Sequence, residues 1–124
     1  MNSERRRRRS STTTQALEFQ LMACCEEGRI EAMIVADSDG LALASSGETF
    51  ACEEIAARMV LVGRKIEQFS GTLLGSGHAW QVQMKKIMHE GTELLVCAVG
   101  GSAEARDRQI KRGAEGAQRI LSAA

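Results

Sequence analysis

Side chains able to do chemistry are few and scattered in this 124-residue chain. Asp37, Asp39 and Glu48 stand at positions 1, 3 and 12 of a frame like that of an EF-hand calcium loop. That loop also needs a ligand at position 5 and a glycine at position 6, where the chain turns sharply around the ion. Leu41 and Ala42 occupy those places, so a hairpin turn is expected instead. Gly75-Ser76-Gly77 invites comparison with phosphate-cradling loops, but no GK[ST] follows and Trp80 stands where GxGxxG needs its last glycine. A plain loop is the expectation there. His78 and His89 are single, with no His or Cys at ligand spacing.

Four cysteines, Cys24, Cys25, Cys52 and Cys97, include no CxxC pair. Reduced, buried thiols are expected, not a zinc site or a disulfide framework. Cys97 lies inside an apolar run, where no base could reach it to make it a nucleophile. No catalytic residue, metal ligand or cofactor-binding residue stands out, and the chain reads as a non-enzyme. The sharpest remaining feature is Arg5 to Arg9. With Glu4 this segment carries a charge of +4, and the other residues, 11 basic against 15 acidic, carry −4. Such an arm attracts nucleic acid, anionic membrane or an acidic partner weakly and salt-sensitively, or is simply a solvated tail.

The positioning elements follow from patterning. The length suits one domain. One Trp, three Phe and no Tyr make the core aliphatic, which disfavours an aromatic-lined pocket or a base-stacking surface. There is no bilayer-length apolar run and no signal peptide, so a cytoplasmic protein is expected. Residues 1–11 lack apolar side chains after Met1 and read as a disordered arm, with the folded domain over 12–124. Thr12 and Gln15 form a capping box for a helix over about 13–27.

Ile30 to Ala36 is an apolar run of strand length, Asp37 to Gly40 a turn and Leu41 to Ser45 its partner strand. A second helix capped by Thr49 is expected to reach Phe69, because Ile55, Met59, Val62, Ile66 and Phe69 keep helical spacing. A short edge strand at Thr72 to Leu74, a strand from Trp80 to Met88, a buried strand from Leu94 to Val99 and a helix opening at Ser102 complete the chain. Ile110, Ala114, Ala117 and Leu121 form the buried stripe of that last helix. The order is α-β-β-α-β-β-β-α. It specifies an α+β domain with one antiparallel sheet of about five strands between helices.

The segment MIVADSDGLALASSG, Met33 to Gly47, resembles the signature hairpin of roadblock domains, and the following long helix, the ELLVCAVGG strand and the last helix keep that family's order. The resemblance covers residues 13–122. It implies a five-stranded sheet with two helices on one face and one on the other, and dimers paired through an edge strand and the second helix. It also implies a noncatalytic adaptor or regulator of a small Ras-like GTPase, or a structural light chain in a motor or scaffold complex. The third alternative is a nucleic-acid or membrane accessory protein acting through Arg5 to Arg9.

Independently of the family, Cys52, Ala56, Val60 and Gly63 form a second stripe of small or β-branched residues on helix two, beside the one facing the sheet. A second copy of the helix could approach closely there, so this stripe is expected in the homodimer interface, together with the edge residues Thr72, Leu73 and Leu74 that the roadblock resemblance implies. Glu53, Glu54, Arg58, Leu61, Arg64 and Lys65 are the expected partner-binding residues, long charges setting orientation around an apolar centre.

Overall fold

A computed structural model describes residues 3–75 and 77–124, with only the backbone path given for 3–10. Met1 and Asn2 of the expected arm and Ser76 of the glycine loop lie outside the described residues. The elements are α1 (Ser3–Gly28), β1 (Ala32–Ala36), β2 (Ala42–Ser46), α2 (Thr49–Gly63), β3 (Gln68–Gly75), β4 (His78–His89), β5 (Thr92–Val99) and α3 (Ala103–Ala123). The strands form one antiparallel sheet in the order β2-β1-β5-β4-β3.

The two apolar runs become inner strands. All five residues of β1 are buried, as are the last six of β5, because both sheet faces are covered there. Alternation then divides the core in two. Ile34, Val82, Met84, Leu95 and Cys97 pack against Cys52, Ile55, Ala56 and Met59 of α2. Met33, Val35, Leu94 and Val96 pack on the other face against Leu17 and Leu21 of α1 and Ile110 and Ala114 of α3. Two helices therefore share one face and α2 stands alone on the other.

The Asp37 to Gly40 segment is a hairpin turn held by its own side chain. The Asp37 carboxylate accepts from the amides of Asp39 (2.9 Å) and Leu41 (3.0 Å). Gly40 has φ +83°, and a Cβ there would lie 3.2 Å from the Ala57 backbone, so the turn tucks under α2. Glu48, not Thr49, caps α2, accepting from the amides of Phe50 (2.6 Å) and Ala51 (3.2 Å). Ser102 caps α3 as expected, accepting from the Ala105 amide at 3.0 Å.

Three expectations are corrected. Helix α1 starts at Ser3, not near residue 13, so Thr12 lies inside the helix and is not at its N-terminus. Arginine is a good helix former and no Gly or Pro interrupts the segment, so the helical path continues through it. Helix α2 ends at Gly63, and Phe69 belongs to β3, where it faces the α2 half-core. Strand β3 is not a three-residue fragment: eight residues pair with β4, from Gln68 opposite Lys85 to Gly75 opposite His78. Its α2-facing side alternates Phe69, Gly71, Leu73 and Gly75, so large and small side chains take turns along one face and mask the strand pattern.

Candidate interaction surface

Strand β3 ends the sheet order, so its outer edge pairs with no other strand among the described residues. A free, full-length edge exposes backbone donors and acceptors to any incoming strand. Thr72 and Leu74 are exposed on it, Leu74 to 67%, and Leu73 is part-buried against the α2 half-core.

Helix α2 lies over the sheet beside this edge. Its outward face, opposite Cys52 and Met59, carries Phe50 (80% exposed), Ala57 and Leu61 (57% exposed). Arg58 joins the helix to the strand: its guanidinium donates to the Leu74 carbonyl and to the Glu54 carboxylate, the latter at 3.3 Å. Beneath that junction, a Cβ on Gly75 would lie 2.6 Å from the Trp80 ring and 3.2 Å from Glu54 Oε2. The Trp80 ring stacks on His78 at 5.8 Å and 17°. The absent side chain at Gly75 thus admits the indole under the Arg58 contact.

The structure separates the sequence-predicted residues into two groups. Glu53, Leu61, Arg64 and Lys65 are exposed and Glu54 and Arg58 half-exposed, all around the outer side or C-terminal end of α2. Cys52, Ala56, Val60 and Gly63 are instead buried within the monomer. The stripe expected to meet a second copy meets the chain's own sheet and turn: Val60 packs on Gly40, and Gly63 lies over Leu95. Positions 52, 55, 56, 59, 60 and 63 form one broad helical face, so the two stripes were its two edges. Phe50 was missed. Its signal was its place 11 residues before Leu61, which puts both on the same side of a helix.

The reactive groups are placed for packing. Cys97 is fully buried, and burial pushes its thiol up to about 12; burial likewise raises Cys24, Cys25 and Cys52. Such thiols stay protonated and weakly nucleophilic. Asp37 and Glu48, two of the three acids in the calcium-like frame, are engaged with turn and cap amides. Among the described residues no three His, Cys, Asp or Glu side chains converge as a metal site.

The arrangement of one antiparallel sheet with α2 on one face and α1 and α3 on the other matches solved structures. Myxococcus xanthus MglB matches with a TM-score of 0.61 at 10% identity over 89% of this chain and 90% of its own. The fold is similar to that of MglB. An MglB in a tetrameric arrangement gives 0.66 at 15% identity over 89% and 90%. The gliding protein MglB of Thermus thermophilus gives 0.62 at 15% identity over 90% and 93%. These matches establish a roadblock-type architecture. No protein-family model and no curated protein sequence matches the chain.

Proposed function

We propose that the chain is a dimeric adaptor or regulator of a small Ras-like GTPase that contributes no catalytic residue of its own. The observation that carries this reading is the free eight-residue edge of β3 beside the exposed Phe50 and Leu61 of α2. Two copies joined along β3 form a continuous sheet with both α2 helices on one face, the arrangement that the roadblock resemblance implies. The tetrameric MglB arrangement supports self-association of this fold. The pairing surface is then β3 with Leu73 and Leu74, and the outward flank of α2 replaces its buried small-residue stripe.

On this platform the charges Glu53, Glu54, Arg58, Arg64 and Lys65 surround Leu61, which suits a partner recognised by orientation as much as by buried area. No helix among the described residues is long and apolar enough to cross a membrane. The test is affinity capture from native lysate on the immobilised full chain, comparing GTP-analogue with GDP. Capture of a small GTPase in one nucleotide state supports a regulator. Equal capture of a non-GTPase assembly in both states supports a structural light chain instead.

A further inference from the structure

The α1–α3 layer, on the sheet face opposite α2, carries a feature that GTPase binding leaves unused. The two helices run antiparallel: Gln20 of α1 meets Gly116 of α3, and Glu27 meets Gln109. At that register Thr12 falls level with Ala124, so the turns of α1 before Thr12, which carry Arg5 to Arg9, extend past the last turn of α3. Between the helices lies an open groove of about 390 Å³ lined by Gln20, Arg108, Lys111, Arg112, Glu115 and Arg119. Arg112 is paired with Glu27 at 3.0 Å, and no comparable ion pair engages Arg108, Lys111 or Arg119 among the described residues.

Buried Leu17 and Leu21 turn one side of α1 to the sheet, which leaves Phe19 (65% exposed) and Met22 (46% exposed) on its outer side. Arg108 and Arg119 project from the corresponding outer side of α3, opposite buried Ile110, Ala114 and Ala117. Counting Arg5 to Arg9 and leaving aside buried Arg106 and the Arg112–Glu27 pair, the layer carries eight basic side chains against six acidic ones, Glu4, Glu18, Glu26, Glu104, Asp107 and Glu115. Its basic excess comes from the Arg5 to Arg9 turns and the groove around Arg108, Lys111 and Arg119.

We infer that this face docks on an anionic phospholipid surface, with basic side chains meeting headgroups and Phe19 and Met22 entering the headgroup layer. Basic charge around exposed apolar side chains on a helix lying flat is the combination that interfacial binding uses. Nucleic acid fits the same observations less well. One phenyl ring offers no stacking platform, and Glu18, Glu26 and Glu115 would be held against fixed phosphates, whereas lipid headgroups rearrange laterally around them. The inference stands independently of any GTPase on the α2 side.

The test is sedimentation of the full chain with vesicles of neutral lipid alone and with about one third acidic phospholipid. Binding is expected to the acidic vesicles only and to weaken steeply with salt. Arg108→Glu and Arg119→Glu, both at exposed positions, are each expected to weaken it on the order of tenfold. Phe19→Ser is expected to weaken it with the salt dependence kept. Equal binding to neutral vesicles, no binding, or indifference to all three substitutions overturns the inference. So does binding of single- or double-stranded oligonucleotide through Arg108 and Arg119 without binding of vesicles, which assigns the face to nucleic acid.

Discussion

Arg58 on α2 donates to the backbone carbonyl of Leu74 on β3, so one side chain ties the exposed helix to the free edge of the sheet. The same guanidinium holds Glu54 one helical turn back, which orients the arginine across the gap. The contact fixes how far α2 stands from the edge, and any partner that reads both elements reads that spacing. Arg58→Ala is expected to lower stability by about 1 kcal/mol, a modest loss because the side chain is 41% exposed and exposed ion pairs contribute little. Amide exchange is expected to quicken at the end of β3 next to Leu74. Unchanged exchange there would mean that the contact does not hold the edge.

Val60 and Leu61 are neighbours in sequence with opposite fates, 7% and 57% exposed. Val60→Glu puts an unpaired charge against Gly40 and the core, and is expected to cost several kcal/mol and to unfold much of the chain. Leu61→Glu is expected to leave monomer stability within about 0.5 kcal/mol. It is also expected to shift the light-scattering mass from dimer to monomer at micromolar concentration. A dimer that survives Leu61→Glu and Phe50→Glu together would show that α2 takes no part in pairing.

The contrast shows what was legible in the sequence. Strands β1 and β5 were plain, because burial on both faces demands unbroken apolar runs such as MIVA and LLVCAV. The Asp39-Gly40 turn and the Ser102 cap were plain because local backbone chemistry selects those residues. The end of α2 was not, since Ile66 and Phe69 prolong the helical spacing by coincidence while belonging to a connection and a strand. Strand β3 was obscured by Gly71 and Gly75, which alternate with Phe69 and Leu73 to leave room for neighbours such as Trp80. The dimer stripe failed for a tertiary reason: a helix alone on its sheet face is covered across both edges of its apolar arc, and periodicity cannot show how wide that cover is.

Glu27 joins the end of α1 to α3. Its carboxylate accepts from Gln109 Nε2 at 2.9 Å and pairs with Arg112 at 3.0 Å, and these contacts, the Gln109 bond first, hold its pKa below the ordinary 4.5. The folded state therefore binds the proton less readily than the unfolded chain. The stabilisation is complete above 4.5 and is lost as pH falls through the lowered value. Thermal melting of the wild type is expected to fall more steeply on acidification below that point than melting of Glu27→Gln. Parallel pH profiles for the two proteins would show that Glu27 contributes nothing to acid sensitivity.

If a Ras-like GTPase binds the α2 face, the arginines there raise the question of direct catalysis. A catalytic arginine finger must reach the γ-phosphate and stabilise the charge that builds in the transition state. Arg58 is engaged with Leu74 and Glu54 on a helix, and reaching out would cost both contacts. Arg64 sits at the C-terminal cap of α2, on a backbone still in the helical region at φ −68° and ψ −21°. Arg58 sits on no loop of the kind from which a finger usually extends, and Arg64 stands only one residue past the helix on a helical backbone, so any rate effect is expected to come from positioning the GTPase's own residues. Arg58→Ala and Arg64→Ala are each expected to weaken association or leave it unchanged, with stimulated hydrolysis fully restored at saturating protein. Single-turnover hydrolysis at saturation checks this. A loss of roughly 10³-fold or more in one variant, with affinity intact, is the size expected of a missing finger. That result would make the chain a direct contributor to the chemistry and overturn the noncatalytic reading.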